Sequence, residues 1–394
     1  MKIGLLNMGG AAWTGGVTYL KNLSFAIKNA GPPDVKLALV TSASEDQQHL
    51  DYLQSSFDDI VRFEEFGTKK FTPAFFVRLA AYLACGHDLM NARRMSRACQ
   101  AAGIAVMFGN GLSKRLAIPA VGWFPDFQHV DLASLYSRQE RVARDQLVWR
   151  MARNCTLVVF SSHHAKRIFE RLQPRHAAKA RVMHFVAHLP HDLVSRDPDY
   201  VVEKFKLGRK FFYMPNQFWR HKNHLNVFKA VHLLRQQGVT VDLACSGNMY
   251  ENRDPQHKDM LTGYLKENGL TERVRLLGFV DFADVYGLMR KSCCVINPSH
   301  YEGWSTTVEE AKTLGKPLLL SDIEVHREQD PAEAAFFDPH QPESIAVAMK
   351  AAWEKYPEGP HLRFEETARQ VYQQRLATFA REFLDICEEA LRRG

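Results

Sequence analysis

Short, nearly unbroken apolar runs alternate with longer amphipathic stretches along the chain. In the first half the runs fall at residues 2–7, 35–41, 104–108, 157–161 and 181–185. In the second half they fall at 210–215, 240–246, 274–278, 293–297 and 317–321. Runs of this length without an exposed polar alternation fit strands covered on both faces, as in a parallel sheet. With helical patterns between them, they predict two tandem, doubly wound α/β domains of five strands each. Pro, Asp and Ser cluster without periodicity at 189–199, which sets the expected domains at 1–190 and 200–373. Near the end, Tyr372, Leu376, Phe379, Phe383, Ile386 and Ala390 step by four and three and predict one apolar helix face. Residues 69–86 carry Phe71, Phe75, Phe76, Leu79, Tyr82 and Leu83 behind Lys69 and Lys70. That spacing suits either a core-facing helix or one lying in a membrane interface.

Composition narrows the class. The chain has 394 residues, 46% hydrophobic and 24% charged, and no apolar run reaches the roughly 18–20 residues of a membrane span. The first ten residues pass directly into a strand pattern and glycines, so a cytoplasmic location is expected. Seven cysteines, none in a C-x-x-C pair, read as reduced thiols. Charge is uneven: residues 1–190 hold 24 Lys and Arg against 14 Asp and Glu, and the remainder 27 against 30. A basic first half suits an anionic partner, either a phosphate-bearing substrate or the anionic face of a membrane.

The stretch from Asn297 to Pro317, NPSHYEGWSTTVEEAKTLGKP, reads as strand, turn and helix, with the helix starting near Ser305 or Thr306. Thr307, Glu310, Ala311 and Leu314 then share one inward face. Glu310 is therefore an acid on a small, apolar face, needing a hydrogen-bonding partner such as the hydroxyls of a ribose. Glu309 falls beside Lys312 and Lys316 and is expected on a solvated face. Glu302 lies at the helix N-terminus, where free N–H groups favour phosphate, so it should point past the phosphate toward sugar hydroxyls.

The spacing of Glu302 and Glu310 resembles the E-x7-E signature of retaining glycosyltransferases of GT-B fold, glycosyltransferase family 4 (group 1). The resemblance implies two Rossmann-like domains facing across a cleft, with the C-terminal helix, about 374–394, returning to the first domain. It places Glu302 on the donor sugar and Glu310 on the ribose, with Gly303, Trp304, Ser305 and Thr306 around the donor. Trp304-Ser305 stands where the family more often has Phe-Gly. Gly15 and Gly16 match the Gly-rich loop at the diphosphate, and Phe279 and Val280 the stretch lining the base. Lys222 matches the family Lys on the diphosphate; the family Arg usually stands where this chain has Gln217, and Arg220 is the nearest guanidinium.

In the first domain the motif VGWFPDFQH ends in His129, which resembles the family's cleft histidine, with Asp126 three residues before it. Both are candidate catalytic residues. Ser161-Ser162 reads as a helix cap, and His326 and Glu328 as a surface loop. Asp197-Pro-Asp199 does not follow a buried strand, and the His221/His224 and His184/His188 pairs lack an adjacent acid, so no metal is expected. Neither a G-x-G-x-x-G after the first strand nor a P-loop occurs, and no nucleic-acid partner is expected.

The resemblance thus implies transfer of a hexose from a GDP- or UDP-sugar to a glycan or lipid-linked acceptor, without a cofactor. Such a chain would work in cell-surface polysaccharide or lipopolysaccharide synthesis, with possible peripheral contact at the inner membrane face. The alternatives are a nucleotide-sugar 2-epimerase of the same fold and a non-catalytic sugar-nucleotide-binding protein.

Overall fold

The computed structural model describes residues 1–8, 14–85, 88–110, 112, 115–251 and 253–394, apart from the side chains of Thr14 and of 83–85. The expected stripe residue Leu83 therefore lies outside what is described. The chain divides into two compact units, Met1–Val186 with Gln374–Gly394, and Ala187–Gln373.

The first unit is built on a parallel sheet. Its strands are β1 (Lys2–Leu6), β2 (Lys36–Ser42), β3 (Asp59–Phe63), β4 (Val106–Asn110), β5 (Ala120–Phe124), β6 (Leu157–Phe160) and β7 (Ala180–Val182). They lie in the order β3-β2-β1-β4-β5-β6-β7. The second unit has β8 (Phe212–Pro215), β9 (Leu243–Ser246), β10 (Val274–Gly278), β11 (Cys294–Asn297), β12 (Leu318–Ser321) and β13 (Ala334–Phe337). Their order is β10-β9-β8-β11-β12-β13, again all parallel.

The described sheets thus hold seven and six strands where the sequence pattern predicts five each. The added strands are β3, β5 and β13. β3 and β13 are edge strands whose sequences, DIVRF and AAFF, are half-buried and lack a long apolar run. β5, AVGWF, is wholly buried but interrupted by Gly122, and β7 is shorter and earlier than the 181–185 run.

The predicted apolar helix face belongs to Leu362–Arg393. Leu376, Phe379, Phe383 and Ala390 are at most 1% exposed, and Phe383 meets Phe108 of β4 edge-on at 5.2 Å between ring centroids. In the second unit Phe212, Leu243, Cys294 and Leu319 form the centre of one core cluster, and Tyr213, Val308, Ala311 and Leu318 that of another. Helix Thr306–Thr313 ends at Gly315, whose φ of +63° suits glycine. A side chain there would also run into the Phe364 carbonyl. The six cysteines with described side chains are free and buried. Among the described residues no helix is long and apolar enough to cross a membrane.

Candidate active site

The second sheet reverses its order at β8/β11: β9 and β10 extend to one side and β12 and β13 to the other. Loops leaving the carboxyl ends of two such neighbours diverge, and ligands of open α/β sheets bind in the crevice so made. Lys222 follows β8 and Glu302 follows β11, so this reversal brings them together across 80 residues of sequence.

Lys222 Nζ donates to Glu302 Oε1 at 2.7 Å, with both side chains mostly buried. Burial alone would raise the Glu302 pKa, but Lys222, His326 and hydrogen bonds from Lys222 and Ser299 outweigh it and bring it down to about 2. Glu302 is therefore a carboxylate at neutral pH. Asn297, at the end of β11, organises the turn around it. Its amide nitrogen donates to Ser305 Oγ at 2.7 Å and its amide oxygen accepts from Ser299 Oγ at 2.7 Å. Ser305 caps helix Thr306–Thr313, its Oγ accepting from the Val308 N–H. The first N–H groups of that helix stand beside the Glu302 turn.

Glu310 is 7% exposed and faces Tyr213 and the sheet, as the helical pattern predicts. Among the described residues its carboxyl has no hydrogen-bond or ion-pair partner. Burial pushes its pKa up to about 8.

Glu309 and Lys316 correct the expectation of a solvated face. Glu309 is 1% exposed and Lys316 4%. Glu309 Oε1 accepts from Gln329 Nε2 at 3.0 Å and from Lys312 at 3.5 Å. Gln329 also bonds both backbone polar groups of Ser305, so Glu309 braces the cap. Lys316 donates to the carbonyls of Arg290 and Ser292 and to His361, and burial lowers its pKa to about 7.

His326 also departs from its surface reading. It is fully buried, and its Nδ1 lies 3.0 Å from both Ser321 Oγ and the Ser321 carbonyl. Its Nε2 has no hydrogen-bond partner among the described residues. Its electrostatic coupling to Glu302 and Lys222 places it with the pair. Sequence reasoning underrated it because it follows β12, and only the strand order puts β12 beside β11.

The remaining candidates take separate places. Gln217 accepts from the Asn248 N–H at 2.7 Å and ties the loop after β8 to the loop after β9. Arg220 lines a cavity of about 410 Å³ with Asn223, Asp254 and the buried rings of His224 and His257. Neither ring nitrogen of either histidine has a hydrogen-bond partner among the described residues, and His257 Nδ1 lies 4.0 Å from the Asp254 carboxylate. Phe279 is 76% exposed just beyond β10, with Val280 half-buried. Gly303 and Thr306 are half-buried, and Trp304 is buried. Asp199 pairs with the buried Lys291 at 2.7 Å.

In the first unit Gly15 and Gly16 form the first turn of helix Thr14–Ala30, the former exposed and the latter buried. His129 is 2% exposed at the carboxyl end of β5. Its Nδ1 accepts from Arg144 Nε at 3.0 Å and its Nε2 meets Asp145 at 3.2 Å. Burial first, then Arg144, lowers its pKa. Arg144 also holds the Asp126 carboxylate at 2.7 Å. With both ring nitrogens engaged, this geometry suits His129 to positioning. Ser162 caps helix His163–Leu172.

The sequence of residues 196–371 matches the family of glycosyl transferases group 1. This stretch is similar to a glycosyltransferase group 1 domain. It contains the Lys222–Glu302 pair, Glu310 and His326. No curated protein matches the chain in sequence. Solved structures match its fold throughout. A glycosyltransferase from Rickettsia africae superposes with a TM-score of 0.70 at 15% identity, covering 99% of this chain and 98% of that one. HepE of Anabaena in complex with UDP and glucose gives 0.69 at 17%, covering 98% of each. Sucrose-phosphate synthase from Thermosynechococcus elongatus gives 0.61 at 15%, covering 98% and 96%. The fold is GT-B, and the stretch that matches the family model lies within its second unit.

Proposed function

We propose that the chain is a retaining, metal-independent glycosyltransferase that moves a hexose from a nucleotide-diphosphate sugar to a glycan or lipid-linked acceptor. The observation that carries this reading is Glu310, a buried acid without a partner among the described residues, inside the stretch that matches the group 1 glycosyl transferases. Ribose hydroxyls would supply its missing hydrogen bonds. HepE of Anabaena forms complexes with UDP and glucose and with UDP-glucose, which supports a UDP-hexose over a GDP-hexose here.

In this reading Lys222, Arg220 and the N–H groups at Thr306 stabilise charge that grows on the departing diphosphate. Gly16 lets backbone approach the same group. Glu302, held as a carboxylate, accepts from sugar hydroxyls, and Phe279 and Val280 flank the base. His129 and Asp126 hold the end of β5 through Arg144, on the acceptor side. Exposed Phe71, Phe76, Val77 and Leu79, next to Lys69 and Lys70, support peripheral contact with an anionic membrane. The pathway proposed is assembly of a cell-surface polysaccharide or lipopolysaccharide.

The test is release of UDP or GDP from the matching donor, followed by NMR with and without added glycan acceptors and with EDTA present. Acceptor-dependent release with retained anomeric configuration is expected. Epimerised donor without acceptor would make the chain an epimerase, and binding without turnover would make it a binding protein.

A further inference from the structure

The amino ends of β5, β6 and β7 carry a second feature, at the opposite edge of the first sheet from the ends where α/β ligands ordinarily bind. There a cavity of about 500 Å³ is lined by Arg115, Arg153, Lys179 and Arg393, together with Asn154 and Thr156. The lining also includes the buried Cys155. None of its described lining residues is acidic. Glu389 bonds both Arg181 and Arg393.

The cations come from four segments: the loop before β5, the end of helix Arg138–Asn154, the residue before β7 and the chain terminus. Lys179 donates to the carbonyls of Ala152 at 2.9 Å and Cys155 at 2.7 Å, using two of its three N–H donors at that helix end. Complementing the helix dipole accounts for Lys179 and Arg153. It does not account for Arg115 and Arg393, which arrive from elsewhere, and of these Glu389 pairs only with Arg393. The local field is positive enough to register on a neighbour: after burial, Lys179, Arg153 and Arg175 all depress the charged form of His176. Converging like charges is unfavourable unless an anion answers them.

We propose that this cavity binds a phosphate group, as a soluble phosphate ester or a phospholipid headgroup, separately from the donor site. Arginine matches phosphate oxygens with paired donors, and Lys179 adds a point charge held in place by its two carbonyls. The volume exceeds what a bare phosphate fills and lies in the range of small-molecule sites. The site also gives the basic bias of residues 1–190 a specific address.

The full chain would be titrated by calorimetry with inorganic phosphate and glucose 6-phosphate. It would also be co-sedimented with phosphatidylglycerol/phosphatidylcholine vesicles and with phosphatidylcholine vesicles alone. Binding of a phosphate-bearing probe is expected. The double variant Arg115→Glu/Arg153→Glu should weaken it by about tenfold or more. Arg138→Glu, an exposed reversal elsewhere in the same unit, should change it by less than about twofold. A preference for glucose 6-phosphate assigns the site to a soluble ester, and a preference for phosphatidylglycerol vesicles assigns it to a headgroup. If no probe binds, or if Arg138→Glu weakens binding as much as the double variant, the site does not exist. Should the double variant unfold, Arg153→Ala alone must still lose affinity with Tm unchanged. Binding of UDP as a control reports the donor site independently, so failure of either proposal is visible without the other.

Discussion

The carboxyl end of β5 and the carboxyl ends of β11 and β12 both gather buried ionisable groups, but they finish the task differently. Around His129 every nitrogen is answered: Arg144 donates to one side, Asp145 accepts on the other, and Arg144 reaches on to Asp126. Around Glu302 the work is half done. Glu302 is paired, while among the described residues neither Glu310 nor His326 Nε2 has a hydrogen-bond partner. A buried polar group left unanswered costs stability of order 1–3 kcal/mol, so its persistence points to use. A closed network holds a shape, and in the proposed function a ligand completes the open one.

The largest effect expected to separate the two regions is Lys222→Ala, which should slow transfer on the order of a hundredfold or more through lost charge stabilisation. The companion His129→Ala should instead lower Tm with a smaller loss of kcat; if it slowed transfer more than Lys222→Ala, the contrast would be reversed. Removing the other member of the pair, Glu302→Ala, strands Lys222 in a mostly buried place and should cost about 3–5 kcal/mol, measured by urea unfolding.

Glu310→Gln sharpens the comparison through pH. The folded chain holds the Glu310 proton up to about 8 against an ordinary 4.5, so between those values it binds more protons folded than unfolded. Stability from this group should therefore fall as pH rises from about 4.5 to 8, and Glu310→Gln should flatten that part of the Tm profile. The same variant should raise the donor KM with little change in kcat. Smallest is Ser305→Ala, which removes a helix cap and should cost about 1 kcal/mol in the same unfolding measurement.

Much of the second unit is legible because its signals are local. The apolar runs at β8 to β12 are short and dense, and a helical count places Glu310 inward from four residues alone. Glu309 is misread for the same reason that Glu310 is read well. A helical count registers Lys312 and Lys316 nearby but not Gln329, which lies 20 residues on and draws Glu309 inward. His326 and the Lys222–Glu302 pair depend on which strands are neighbours, and strand order is not written in any one run. The missing strands tell the same story: β3 and β13 lie at sheet edges, where a strand needs only one apolar face and leaves a weak mark.

Helix Leu362–Arg393 has a consequence for how the protein is made. Its greater part, from Gln374 on, belongs to the first unit, where Phe379 packs beside Tyr19 and Phe383 against Phe108. A nascent chain emerging from the ribosome thus completes the second unit before it can close the core of the unit synthesised first. Until the final residues appear, the N-terminal unit carries an uncovered aromatic patch and is exposed to chaperones and proteases.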